Sequence, residues 1–151
     1  MADLHRHYQI ISLAPGSSNE TCALTWRGHK LGIERSNPLD PFQHWAPTFW
    51  TSHDETRQDA GIAFAVPGEH LAIYGDSNDV LRLATFFSVT RPHRFIFLVE
   101  HFSKEFHLRM SGSEKVMDAI GGEPGGEARL ILSDKLPQHP NQLWHFQNVE
   151  V

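Results

Sequence analysis

Three large aromatic residues divide this chain at intervals of about 50 residues: Trp45, Phe95 and Trp144. Each residue ends a tripeptide that begins with Gln or His: Q-H-W, H-R-F and Q-L-W. A period of this length is typical of folds that repeat one supersecondary unit. The chain has 151 residues, so the spacing predicts three similar modules.

Short apolar segments, separated by Gly, Pro, Asn and Asp, recur at spacings of about 8–12 residues, as in all-β domains. Four such segments fit each third, so the pattern predicts twelve short strands. Twelve strands with threefold similarity favour a β-trefoil, whose strands close a small barrel, over an evenly spaced β-sandwich. We expect one domain, 1–151, with repeats at about 6–52, 53–102 and 103–151. The three aromatic residues are expected to pack in its core.

Composition narrows the possible functions. Acidic residues outnumber basic ones, 18 to 13, which argues against nucleic-acid binding. No apolar run reaches the length of a membrane span, and residues 1–9 carry no signal-peptide pattern, so we predict a cytoplasmic protein. The one cysteine, Cys22, is expected to be buried and inert.

Catalytic and metal-binding motifs are missing from the sequence. It contains no nucleophile elbow, phosphate loop or dinucleotide fingerprint, which predicts a protein that is not an enzyme and needs no cofactor. The 11 histidines are scattered and do not show the spacing of a metal site.

Two motifs, Q-x-W at 43–45 and N-Q-x-W at 141–144, resemble the signature of ricin-B-type β-trefoil lectins. Residues 23–28 and 38–45 resemble a mushroom subgroup, which includes small cytoplasmic lectins that bind fucosylated chitobiose and act against nematodes. Related mushroom trefoils inhibit proteases. The resemblance implies a glycan-binding lectin, a monomer or homodimer, whose ligands contain galactose, GlcNAc or fucose.

In the last third, the resemblance implies a sugar site at Asp118 and Asn141. A carboxylate accepts two hydroxyls, and an amide both donates and accepts. The aromatic platform of the family falls on Leu132, so the usual galactose pocket is not matched. The alternative is that Asp118 and Asn141 organise the Gly-rich turn 121–126.

The middle third offers a second candidate site. Tyr74 is expected to stack on a sugar, with backbone, amide and cationic groups around it, and Trp26 is its predicted counterpart in the first third. The alternative is a half-buried strand tyrosine. The candidate residues are Tyr74, Gly75, Asn78, His93 and Arg94.

The second functional hypothesis is a protease inhibitor on the same scaffold. It would act on a cysteine, aspartic or serine protease through an exposed loop, and composition favours 15–20 or 36–42. A third possibility is a trefoil that only binds a protein partner.

Overall fold

The computed structural model describes residues 7–13, 21–28, 30–51, 60–85, 92–102, 105–120, 129–136 and 139–149. These residues form twelve strands, which confirms the all-β prediction. The strands are β1 His7–Ser12, β2 Cys22–Arg27, β3 Lys30–Arg35, β4 Ala46–Thr51, β5 Ala60–Ala65, β6 Leu71–Gly75, β7 Leu81–Thr85, β8 Phe97–Phe102, β9 Glu105–Met110, β10 Lys115–Ile120, β11 Arg129–Asp134 and β12 Trp144–Val149.

Six strands close a barrel. Antiparallel pairs form between β1 and β12, between β4 and β5, and between β8 and β9. Single residue pairs link these ladders into a ring: Ile62↔Phe97, Phe106↔Trp144 and Tyr8↔Trp45. The order of pairing returns to its start, so these six strands present no continuous open edge.

The other six strands form three hairpins: β2 with β3, β6 with β7, and β10 with β11. The hairpins touch one another, because β3 contacts β7, β7 contacts β11 and β11 contacts β3. Each third thus adds one hairpin and two barrel strands. This arrangement is the predicted β-trefoil.

All three aromatic residues are buried, as expected, but they do not share one apolar cluster. Trp45 and Trp144 are fully buried in the main apolar cluster. Phe95 is also buried, but it lies in a separate small cluster. Phe97 takes its place in the main core. Phe97 pairs with Ile62 of β5, and Trp144 pairs in the same way with Phe106 of β9.

The two-residue offset has a local cause. A 3₁₀ turn precedes the last strand of each third, at Pro41–Gln43, Pro92–Phe95 and Pro140–Gln142. The middle turn is one residue longer. Phe95 ends this turn, as Gln43 and Gln142 end theirs, and each tryptophan follows the end of its turn by two residues. The counterpart of the two tryptophans is therefore Phe97.

In every third, the last residue of the 3₁₀ turn corresponds to the last residue of the other two turns, and one hairpin strand residue likewise corresponds between the thirds. We call these two residues of each third its strand–turn pair. The indole Nε1 of Trp45 donates to Leu24 O, and that of Trp144 donates to Met117 O. Leu24 and Met117 are therefore equivalent positions, and so are the residues that follow them, Thr25 and Asp118. The three strand–turn pairs are Thr25 with Gln43, Tyr74 with Phe95, and Asp118 with Gln142.

This alignment corrects the predicted counterpart of Tyr74. Leu24 pairs with Ile33 across its hairpin, as Ile73 pairs with Leu83. The residue two places after Leu24 is Trp26, and the residue two places after Ile73 is Gly75. Trp26 therefore corresponds to Gly75 and not to Tyr74.

Candidate functional site

Asp118 lies on β10 at the strand–turn pair of the last third and is 8% exposed. Its Oδ2 accepts hydrogen bonds from Ser133 Oγ at 2.6 Å and from Gln142 Nε2 at 3.1 Å. Its other oxygen, Oδ1, is buried and has no hydrogen-bond partner among the residues that the structure describes. A buried carboxylate oxygen without a donor is costly, so this atom is set up to accept a hydrogen bond.

Gln142 holds this carboxylate in place. It is fully buried, its Nε2 also donates to Asp134 O at 2.8 Å, and its Oε1 accepts from Leu136 N at 2.7 Å. The amide is therefore structural, and it fixes which oxygen of Asp118 remains unpartnered.

The other predicted groups of this site differ in their placement. Asn141 lies next to Gln142 in the 3₁₀ turn and is partly exposed. Leu132 is 3% exposed and belongs to the core, so it offers a sugar no platform. The Gly-rich turn 121–126 lies outside the described residues.

In the middle third, Tyr74 is 8% exposed, so it is more deeply buried than a half-buried strand residue. Its ring packs on Phe95 with centroids 4.8 Å apart, and the Arg82 guanidinium carbon lies 5.5 Å from its centroid. An aromatic pair thus replaces the Asp–Gln pair of the last third, and little ring face remains for a ligand.

Arg94 is committed to internal bonds. Its Nε donates to Gly75 O at 2.7 Å, and its Nη2 donates to Asp76 O at 2.7 Å and to Asp79 Oδ1 at 2.9 Å. Lys115 Nζ donates to the other oxygen of Asp79 at 2.6 Å. These bonds, the one from Lys115 most strongly, hold the pKa of Asp79 below its usual range.

The remaining predicted residues of this site surround the same turn. Asn78 is exposed, and its backbone N–H donates to Asp76 Oδ1 at 2.9 Å. Gly75 is packed so closely that an added Cβ would lie 2.8 Å from Leu132 Cδ1. His93 lies in the turn Pro92–Phe95, and its side chain is outside the described part.

The first third contains a group that the sequence motifs missed, which we call the aromatic–charge cluster: Trp26, Arg27, Glu34, Asp40 and Phe42. Arg27 donates to both Glu34 oxygens at 2.8 Å and to Asp40 Oδ2 at 3.0 Å. Its guanidinium carbon lies 5.1 Å from the Phe42 centroid, and the Trp26 ring meets Phe42 edge-on at 4.8 Å. The bonds to Glu34 and Asp40 raise the pKa of Arg27.

Within the described ranges, no three His, Cys, Asp or Glu side chains converge as a metal site would require. In that same part of the chain, no helix has the length and apolar character needed to cross a bilayer.

The fold is shared with proteins of known structure. No protein-family model and no curated protein matches the chain. A designed threefold-symmetric protein, ThreeFoil, is similar over 96% of this chain and 99% of its own, with a TM-score of 0.67 and 13% identity. These values establish the β-trefoil fold.

Two fungal lectins are similar as well. The ricin B-like lectin of Macrolepiota procera, solved with lactose, has a TM-score of 0.65 and 14% identity, over 97% of this chain and 98% of its own. The Polyporus squamosus lectin, solved with Neu5Acα2-6Galβ1-4GlcNAc, has a TM-score of 0.66 and 11% identity, over 98% of this chain and 50% of its own.

Proposed function

We propose that this protein is a carbohydrate-binding lectin with no catalysis of its own. The observation that carries the proposal is Asp118 Oδ1, a buried carboxylate oxygen with no donor in the described residues, beside the partly exposed Asn141. A sugar hydroxyl supplies the missing donor, and the Asn141 amide can bond a neighbouring hydroxyl. The fold it shares with lectins solved with lactose and with a sialylated trisaccharide adds support.

The ligand class follows from the same groups. Galactose-, GlcNAc- or fucose-containing glycans present the vicinal hydroxyls that a carboxylate and an amide recognise. With no aromatic platform at Leu132, a single site would bind in the millimolar to micromolar range, about −4 to −8 kcal/mol. Several sites or a homodimer would raise the avidity. The mushroom resemblance of residues 23–28 extends the proposal to a cytoplasmic defence lectin.

Asp118→Asn tests the site. The asparagine keeps an oxygen for Gln142 and Ser133 but places a donor where Oδ1 accepts. Binding to glycan-array hits, measured by calorimetry, should weaken about tenfold or more, because a hydrogen bond to a charged group contributes about 1.5–3 kcal/mol. Asp134→Asn, the same change at an exposed position of β11, is the matched control and should bind as the parent does.

Two results would contradict the proposal. A parent protein that binds no glycan on an array at high density is not a lectin. If the parent binds and Asp118→Asn binds equally well, the site lies elsewhere on the protein.

The loop 36–42 favours protease inhibition as a second candidate. Its Leu39 is 86% exposed, and the backbone beneath it is held by hydrogen bonds. Gln43 Oε1 accepts from Asn37 N at 2.9 Å, His44 Nε2 contacts Pro38 O at 2.7 Å, and Asp40 N donates to Asn37 O at 3.0 Å. A rigid loop with an exposed apolar residue loses little entropy when it enters an enzyme cleft.

Inhibition assays against papain, pepsin and trypsin decide this second candidate. Inhibition that Leu39→Ala reduces tenfold or more would support it. Full activity of all three enzymes at high micromolar protein would count against it. The loop 15–20, the other predicted inhibitory segment, lies outside the described residues.

A further inference from the structure

We propose that His139 is a positioning residue of the candidate glycan site in the last third, and that it makes glycan binding weaken in mild acid. The inference rests on the proposed lectin function and adds a regulation of that same site. It depends on a histidine that stands where the first third has an aspartate, Asp40.

The bond between His139 and Asn141 is the first argument. His139 is the N-cap residue of the 3₁₀ turn Pro140–Gln142, and its ring Nδ1 accepts a hydrogen bond from Asn141 N at 3.3 Å. Two backbone bonds close the turn: Gln142 N donates to His139 O at 3.0 Å, and Leu143 N donates to Pro140 O at 3.2 Å. The cap bond holds Asn141 itself, the residue with the candidate sugar-binding amide.

The first third has the same turn with a different cap. Asp40 precedes Pro41, and its Oδ1 accepts from Phe42 N at 3.0 Å, as His139 Nδ1 accepts from Asn141 N. The backbone angles of the two caps agree, with φ −81° and ψ 112° at Asp40 and φ −80° and ψ 117° at His139. The two turns therefore differ in the chemistry of the acceptor and not in the path of the backbone.

The acceptor in the last third depends on pH. An imidazole nitrogen accepts a hydrogen bond only when it carries no proton, so the bond from Asn141 N fixes His139 as the neutral ring with its proton on Nε2. Histidine ordinarily gains its second proton between about pH 8 and 5, a range in which a carboxylate of ordinary pKa stays charged. In the protonated ring both nitrogens are donors. Nδ1–H would then face Asn141 N–H, and the cap would be lost.

Loss of the cap would loosen Asn141 more than Asp118. Asp118 is held by Ser133 and Gln142, and those bonds do not involve the His139 ring. Asn141 would lose its fixed direction, so a glycan would have to order it on binding, at an entropic cost. Mild acid should therefore weaken glycan binding without abolishing it.

The other charged groups near this turn come from the elements around it. The turn packs against β10, which carries Lys115 and Asp118, and against β1. β1 meets it with Ser12 and Leu13, neither of which titrates, since Ser12 pairs with Trp144 and Leu13 N donates to Leu143 O. Asp134 and Lys135 lie where β11 ends. These charges are the same in the parent and in every variant below, so they cancel when the variants are compared.

His107 of β9 is a second titratable group that acts on the same segment. Its ring hydrogen-bonds the backbone of Leu136, whose N–H donates to Gln142 Oε1. Burial is the main cause that lowers the pKa of His107, and Lys135 adds to it, while the bond to Leu136 and the charge of Glu100 oppose it. A test of His139 therefore needs His107→Gln as a separate variant.

Glycan affinity, measured by calorimetry at about pH 7.5 and 5.5, tests the proposal. The probe is lactose, or the tightest-binding glycan of the array if lactose does not bind. The dissociation constant of the parent should rise about threefold to tenfold in acid, the size of effect that loss of an N-cap has. His139→Asn keeps a capping oxygen at both pH values, so it should bind as the parent does at pH 7.5 and change less than about twofold in acid.

Three further variants serve as controls. His139→Ala lacks a cap and should bind at both pH values about as the parent binds at pH 5.5. His70→Asn, the same change at an exposed histidine of the middle third, should keep the acid loss of the parent. His107→Gln should keep most of that loss as well.

Hydrogen exchange reads the cap in the absence of glycan. The protection of Asn141 N–H against exchange should fall between about pH 7.5 and 5.5 in the parent and persist in His139→Asn. Phe42 N–H, which is capped by Asp40, should keep its protection in both proteins. Protection of Asn141 N–H that survives in acid would overturn the inference.

The remaining outcomes separate the two proposals. If the parent binds glycan equally well at both pH values, if His139→Asn shows the same loss as the parent, or if His107→Gln abolishes the loss, the role of His139 is refuted and the lectin stands. If the parent binds no glycan on an array, the lectin proposal fails, and this inference fails with it.

Discussion

Trp144→Phe tests how the repeats are stabilised. The substitution keeps an aromatic ring at a fully buried position but removes the indole N–H that donates to Met117 O at 3.1 Å. A buried carbonyl that loses its donor costs about 1–3 kcal/mol, and the smaller ring adds about 1 kcal/mol for the space it leaves. The expected loss is therefore about 2–4 kcal/mol in the free energy of unfolding, measured by urea titration.

Trp45→Phe is the matched comparison, because its indole makes the same bond to Leu24 O at 3.0 Å. The two variants should lose similar stability, with a fall in Tm of about 5–15 °C each. Losses below about 1 kcal/mol in both would refute the argument from the lost hydrogen bond, and a difference between them above about 2 kcal/mol would refute the equivalence of the two positions.

Three further variants test single features by thermal or urea unfolding. Asp79→Asn should lower stability at pH 7, because the bonds that depress the pKa of Asp79 stabilise the fold when its carboxylate is charged. This contribution is present above the ordinary pKa of 3.8 and is lost as the pH falls through the lower folded-state pKa, so parent and variant should converge in acid. Burial is the largest cause that lowers the pKa of His107 below its ordinary value of 6.5, so the parent should lose stability as the pH falls below 6.5. A His107→Gln variant whose stability falls equally steeply with pH would contradict this. Gly75→Ala should cost about 1 kcal/mol, because its Cβ would meet Leu132 Cδ1 at 2.8 Å, the end of a side chain that can shift, and a loss above about 3 kcal/mol would show that Leu132 cannot move.

The sequence predicts the architecture well, because strand alternation and turn residues are local signals. It misplaces the counterpart of the two tryptophans, since Phe95 and Phe97 lie two residues apart and both are buried. The choice between them depends on the residue at which a 3₁₀ turn ends, which no local pattern indicates.

Side-chain partners at a distance were harder to predict. The sequence suggests Arg94 as a sugar donor, but its side chain bonds Asp79 and two carbonyls of the same turn. The cluster around Phe42 was missed because Arg27 and Phe42 belong to different elements and form no motif. The motif residues Asp118 and Asn141 are recognisable in the sequence, whereas the unpartnered oxygen of Asp118 depends on three-dimensional geometry.

The three strand–turn pairs differ in chemistry although they share one backbone frame. The equivalent position holds a threonine with a glutamine in the first module, two aromatic rings in the second, and a carboxylate with an amide in the third. Mutation can therefore change the strand–turn pair of one module while the other two modules keep the barrel folded. A scaffold of this kind can acquire or lose recognition one module at a time.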